Sequence, residues 1–298
     1  MSLDELREYL LTKEPTRDFQ RVFHGRGEAY GAFKYLSIDS IDGVLSITLF
    51  DEDEQGLIDM LTSFAKTKNY KAVVLQRRYL KNTTNEVIFG ELEDELIAYE
   101  NGMKFKLNLL SNQNSLFFGD MKNGREFVRQ NAKDKHILNL FSYTCAFSVA
   151  AKLGGAKSVV NVDMSKASLS VGKANHTLNN IDTKGVSFLP YNILKSISGI
   201  KKKGPFDIII IDPPSYQKGS FEAKKDYVKI VKRLHELLSE DGLVLACLNA
   251  PELDTHFLLD MFEQNQFVFS HRVQNPDEYV NVTNEKSLKV LVFKTLKS

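Results

Sequence analysis

The chain has 298 residues, 43% hydrophobic and 26% charged, with a net charge of +1, ordinary proportions for one large or two ordinary globular domains. No apolar run approaches the ~20 residues that span a bilayer, and the N-terminal MSLDELREYLLTKEP lacks a signal peptide's apolar core. Cys145 and Cys247 lie 102 positions apart, which is neither a zinc spacing nor a disulfide framework, so a cytoplasmic protein without metal or membrane partners is expected.

In chain order, a short helix signal gives way to a polar, arginine-containing segment, RDFQRVFHGRGEAYG (17–31). Alternating apolar residues follow in YLSIDSIDGVLSITLFD (35–51), with Asp42-Gly43 as a hairpin turn. GLIDMLTSFAKTK (56–68) has helical spacing, since Leu57, Ile58, Leu61 and Phe64 share one face. KAVVLQRR (71–78) and EVIFGELEDELIAYENGMKFKLNL (86–109) predict strands, the last two joined at Glu100-Asn101-Gly102. These elements make a small α+β domain over residues 1–115, with a possible role in substrate recognition.

From His136 the pattern changes. HILNLF, SVVNVD, VSFL, FDIIIID and GLVLACL predict strands. AFSVAAKLGGA, SKASLSVGKANHTLNN and YVKIVKRLHELL predict helices among them. Such alternation implies a doubly wound α/β domain, here residues 116–298, with a mostly parallel sheet. FVFSHRVQ and SLKVLVFKT end the chain without a helix between them, so the last strand is antiparallel, as in the methyltransferase variant of the Rossmann fold. Residues 1–115 hold 14 basic and 19 acidic side chains, and residues 116–298 hold 25 and 19. A basic excess in the second half suits an anionic partner such as RNA, though the bias is mild.

The first strand–helix turn, NLFSYTCAF (139–147), contains no glycine. A pyrophosphate on a helix N-terminus wants a glycine-rich turn, so NAD and FAD fit poorly. Ser142, Thr144, Cys145 and Ala146 are small enough for close approach by a ligand without phosphates. Asp163 ends the second strand, 22 positions after Phe141, placed either to accept both ribose hydroxyls or to cap the next helix. Met164 can cover an adenine face, and the amide of Asn192 can meet an adenine edge. Ribose and adenine contacts without a phosphate cradle suit S-adenosylmethionine. At the end of the fourth strand, Asp212-Pro213-Pro214-Ser215 forces a stiff exit and presents a carboxylate, carbonyls and a hydroxyl to the crevice.

FFGDMKNGREFVR (117–129), ILNLFSYTCAFSVAAKLGGAKSVVNVDMS (137–165) and FDIIIIDPPSYQKGSF (206–221) together resemble bacterial class I SAM-dependent methyltransferases. The nearest group is that of the 23S ribosomal RNA large-subunit cytosine-C5 and guanine-N7 enzymes, and residues 36–294 fit its pattern. The resemblance implies that Phe141, Ser142, Tyr143, Thr144 and Cys145 line the methionine side of the cofactor. It assigns Asp163 to the ribose, Asn192 to the adenine, and Asp212, Pro213 and Pro214 to the methyl-transfer site. Asp120, Lys122 and Arg125 match a polar segment that reaches the substrate pocket in the family. Ser215 and Tyr216 border that pocket, with Tyr216 a candidate to stack on an extruded base. Lys218, Lys224 and Lys225 are candidates to steer phosphates.

Three departures stand out. The family's usual Gly-Gly in the first turn is Cys145-Ala146 here. Only about 35 residues precede the small domain, too few for the RNA-binding module of the cytosine enzymes, and RVFHGRG (21–27) stands in its place as a candidate substrate contact. At the position where the cytosine enzymes carry a nucleophilic cysteine, this chain has Asn249, and Cys247 lies two residues earlier. The expected activity is methylation of a ring or exocyclic nitrogen of RNA, most simply ribosomal RNA. The alternatives are cytosine-C5 methylation through Cys247, and a non-RNA substrate. Monomer and homodimer both stay open.

Overall fold

The computed structural model describes residues 1–296 except 53–54, 82–83, 111–113, 218 and 284. The chain forms two compact units, Met1–Gly119 with Pro276–Thr283, and Asp120–Asn275 with Asn284–Ser298.

In the first unit, α1 (Leu3–Leu11) starts at Ser2, whose hydroxyl accepts from Glu5 N while the Glu5 carboxylate returns to Ser2 N. There follow β1 (Gln20–His24), β2 (Leu36–Ile41), β3 (Val44–Leu49), α2 (Leu57–Thr67), β4 (Ala72–Arg77), β5 (Thr84–Gly90), β6 (Leu96–Glu100) and β7 (Met103–Leu107). Strands β1 to β5 form one sheet in sequence order, and β6–β7 is a separate hairpin. Asp42 and Gly43 both have positive φ, 45° and 85°, as the two-residue turn between β2 and β3 requires. Leu6, Leu10, Leu57, Leu61 and Phe64 bring the two helices onto Ile38, Ile47 and Leu75 of the sheet. The unit runs past residue 115 because Phe117 packs on Phe19 and Phe105, with ring centroids 5.2 and 4.9 Å apart. It also takes back a distant segment, in which Tyr279 lies 5.3 Å from the His24 ring.

The second unit contains α3 (Lys122–Asn131), β8 (His136–Leu140), α4 (Ala146–Leu153), β9 (Ser158–Val162), α5 (Lys166–Leu178), β10 (Val186–Leu189), α6 (Ile193–Lys201) and β11 (Phe206–Ile211). It continues with β12 (Tyr216–Gln217), β13 (Phe221–Glu222), α7 (Ala223–Val231), β14 (Leu238–Leu248), α8 (His256–Glu263), β15 (Phe267–Arg272) and β16 (Lys289–Thr295). Seven strands form a sheet in the order β10-β9-β8-β11-β14-β16-β15, in which β16 alone runs against its neighbours. The order reverses at β8, so the crevice beyond β8 and β11 is where a ligand of an open α/β sheet binds. Strand β11 is buried on both faces: Ile209 and Ile211 enter one core, Ile208 and Ile210 the other. Among the described residues no helix is long and apolar enough to cross a membrane.

Candidate functional site

Between β8 and α4 the chain makes an unusual turn. Phe141, Tyr143 and Cys145 have φ of 56°, 45° and 60°, a left-handed conformation that costs on the order of 1 kcal/mol per non-glycine residue. The surroundings hold it there. Ser142 N donates to Val162 O at 3.1 Å and Cys145 N to Ser142 O at 2.7 Å. Tyr143 N donates to Asp163 Oδ2 at 2.9 Å, and Asn175 Nδ2 donates to Thr144 O at 3.0 Å. The turn is thereby tied to the end of β9 and to α5. Ser142, Thr144 and Cys145 are buried, so the loop offers a ligand its backbone more than these side chains. Burial pushes the Cys145 thiol up to about 12, with the Asp163 carboxylate adding to the effect.

Beside this turn, Phe141, Asp163, Met164 and Asn192 line a shallow cleft open to solvent. Asp163 does not cap α5, because Ser165 does so by accepting from Ser168 N at 3.1 Å. Each Asp163 oxygen instead takes one backbone donor, Tyr143 N on Oδ2 and Ser165 N at 2.8 Å on Oδ1. A carboxylate has about four lone-pair sites, so one remains on each oxygen. Asn192 caps α6 by accepting from Lys195 N at 3.2 Å, and its amide Nδ2 donates to Met164 Sδ at 3.6 Å, which leaves one amide hydrogen for a ligand. Met164 is 49% exposed, apolar surface that a flat ring can cover. A carboxylate, an amide donor and apolar walls without a phosphate cradle fit a phosphate-free nucleoside.

The same cleft has walls that the sequence pattern did not reveal. Ile193 and Leu194 come from the first turn of α6, and Gln217, Ser220 and Phe221 from the β12–β13 hairpin. Phe221 packs edge-on against Phe141, with ring centroids 4.9 Å apart. The sequence signal was the Gly219 turn, with φ 75°, just before Ser220 and Phe221.

Asp212 follows β11. Burial first and the Asp120 charge second push its carboxyl up to about 7, against the opposing pull of Arg125. Arg125 on α3 is 2% exposed, a buried cation whose charge acts on Asp212. Beneath, Tyr227 Oη donates to Cys247 O at 3.2 Å and Ile211 O at 3.4 Å, clamping the ends of β14 and β11 together. Pro213 is buried, whereas Pro214, Ser215 and Tyr216 are exposed, Tyr216 by 65%. Lys122 is partly buried, and Lys218 lies outside the described residues. Lys225 is paired with Glu222 at 2.7 Å, which favours a solvated helix face over a phosphate contact; Lys224 is exposed. Cys247 is fully buried in β14, and burial holds its thiol well above the usual range. Asn249, beyond the strand, is exposed. Among the described residues no group of three or more His, Cys, Asp or Glu could hold a metal.

A seven-stranded sheet with one reversed strand, and a cleft beyond its strand ends, are the architecture of a class I methyltransferase. The chain belongs to the S-adenosylmethionine-dependent methyltransferase family, whose sequence profile matches residues 20–294. Ribosomal RNA large subunit methyltransferase K/L of Shewanella sp. (strain MR-4) is 37% identical over 201 residues, 64% of this chain. This chain spans only 28% of that relative's length. YwbD of Bacillus subtilis, whose name provisionally places it with the ribosomal RNA large subunit methyltransferases, is 31% identical over 260 residues, 83% of this chain and 64% of YwbD. SMU.776, solved in complex with SAH, superposes with a TM-score of 0.84 at 26% identity, covering 98% of this chain and 79% of that one. A Streptococcus mutans structure provisionally described as a SAM-dependent methyltransferase gives the same values.

Proposed function

We propose that this enzyme methylates a base nitrogen of ribosomal RNA in the cytoplasm. The names of its relatives favour ribosomal RNA as substrate. Asp163 would hold the ribose of the cofactor, Asn192 and Met164 the adenine, and the Phe141–Cys145 turn the methionine part. The sulfonium supplies an electrophilic methyl group. Asp212 and the Pro213 carbonyl would hold an N–H edge of the target base, and Asp212 can take up a proton near neutral pH. Tyr216 is exposed where a base extruded from its helix could stack. Asp120 and Arg125 tune the Asp212 charge.

One observation carries nitrogen over carbon as the target. Cytosine-C5 chemistry needs a thiolate to attack the ring, yet Cys247 is 0% exposed and its thiol is held protonated by burial. The test is transfer of labelled methyl to total RNA from a strain lacking the gene, followed by nucleoside analysis. Cys247→Ala should retain transfer within a few-fold, with label on a nitrogen-methylated nucleoside. Abolished transfer with intact SAH binding, or label in 5-methylcytidine, would overturn the reading.

A further inference from the structure

Residues 21–27 take no part in the chemistry above, yet their local structure is closely built. Gly25–Gly27 is a short 3-10 turn after β1. A Cβ on Gly25 would lie 1.8 Å from Phe33 O, and one on Gly27 would lie 1.7 Å from Val280 O. Val282 N also donates to Gly27 O at 2.9 Å. Arg26 therefore leaves a backbone that is clamped on two sides. Strands β1, β3 and β4 run in one direction, so their C-terminal ends share one edge of the sheet. Phe50 follows β3 there and Arg78 follows β4. The Arg26 guanidinium lies 4.1 Å from the centroid of the Phe50 ring and that of Arg78 lies 5.4 Å from it.

Neighbouring arginines show what is unusual. Arg21 meets both oxygens of Asp39, at 2.5 and 3.2 Å, and Arg77 pairs with Glu86. Among the described residues, neither Arg26 nor Arg78 has a carboxylate within ion-pair distance, although Asp51 and Glu52 follow Phe50 in sequence. Burial lowers the pKa of both groups, with Arg21 acting on Arg26 and Arg26 on Arg78. His24 ends β1, just before this turn. A guanidinium cannot accept, so the 3.0 Å contact from Arg21 Nη1 makes His24 Nδ1 the acceptor and leaves the proton of the neutral ring on Nε2.

The two guanidinium forks at the Phe50 ring are donors only, with no acceptor of their own. A phosphate oxygen is their complement. A guanidinium laid on an aromatic ring also offers a flat face on which a nucleobase can stack, which favours nucleic acid over other phosphates. We propose that Arg26 and Arg78, backed by Phe50, form a phosphodiester-binding site for the RNA substrate on the N-terminal unit. This rests on the reading of RNA as substrate.

The test is equilibrium binding of large-subunit rRNA, transcribed in vitro, to the full chain across a range of salt. Each lost phosphate contact flattens the slope of log K against log salt by roughly 0.7 to 0.9. R26Q/R78Q should bind at least about tenfold more weakly, with a slope shallower by about 1.4 to 1.8. SAH binding by calorimetry should be unchanged, and R26K/R78K should keep the wild-type slope because charge is retained. If wild-type protein binds the rRNA and R26Q/R78Q matches its affinity and slope, the site is wrong while the substrate reading stands. If wild-type protein neither binds nor methylates rRNA, both fall together.

Discussion

Cys145 Sγ occupies the space that a side chain on Gly172 would need. A Cβ built on Gly172 would lie 2.4 Å from that sulfur and 2.9 Å from Cys145 Cβ. Cys145 is a fully buried residue at φ 60°, at the N-cap of α4, and Gly172 lies within α5. A left-handed cysteine in the β8–α4 turn is thus matched by an absent side chain on the facing helix. In an open helix Gly→Ala stabilises by about 1 kcal/mol, but overpacking a full core costs roughly 1–3 kcal/mol. Gly172→Ala should therefore destabilise the protein. Cys145→Gly, whose backbone suits glycine, should relieve most of that loss, with a coupling of about 1 kcal/mol or more in a urea-denaturation cycle. Additivity within about 0.5 kcal/mol would show that the two residues do not compete for space.

Asp163 joins three parts of the site: Tyr143 N, Ser165 N and the cleft itself. Hydrogen bonds to a charged group are worth about 1.5–3 kcal/mol, so Asp163→Asn should weaken SAH binding roughly 10- to 150-fold by calorimetry. Ser165→Ala removes only the α5 cap, worth about 1 kcal/mol of stability, and should leave SAH affinity nearly unchanged. Equal losses in the two variants would mean that Asp163 acts through the helix and not on the ribose.

The strand ends that make the cleft were legible because local patterns placed them. Strand β11 reads as a continuous apolar run since Ile208 and Ile210 face one core while Ile209 and Ile211 face the other. Phe141, Asp163 and Asn192 then follow from topology, each just past a strand of the sheet. What escaped lacks a local period. The β12–β13 hairpin has two residues per strand, too few for alternation, so the Gly219 turn was the one local sign that Phe221 would wall the cleft. Arg125 stands out in sequence only through the resemblance, and its burial has no local sign, because the packing of α3 produces it. Tyr279 lies far along the chain from the His24 and Arg21 it packs against, a contact no window of neighbouring residues can reveal.

His24 ties stability to pH. Burial first, then Arg21 and Arg26, push its imidazole down to about 3 from 6.5. Because the folded value is depressed, the unfolded chain binds the extra proton as pH falls below 6.5, and the folded state loses stability until its own value near 3 is reached. At pH 5 the loss is about 2 kcal/mol. His24→Gln keeps an acceptor for Arg21 without titrating, so the drop in urea midpoint between pH 7 and pH 5 should shrink by that amount. An equal drop in both proteins would assign the acid sensitivity to other groups.

Asp212 should set the acid limb of the reaction. With its carboxyl at about 7, the fraction able to accept a proton rises through neutral pH, so the turnover rate should climb with a midpoint in that region and then level. Asp212→Asn should cost about 10²- to 10⁴-fold in rate and abolish the limb, while SAH still binds. Asp120 is the informative neighbour, because its negative charge holds the Asp212 carboxyl up. Removing that charge stabilises the ionised form of Asp212, and the limb in Asp120→Asn should therefore move to lower pH. Folding is separable from this effect, since a misfolded variant loses rate at every pH without moving the midpoint. An Asp120→Asn enzyme whose limb stays in place, or moves to higher pH, would show that the two carboxyls are not coupled and that the proton leaves the base by another route.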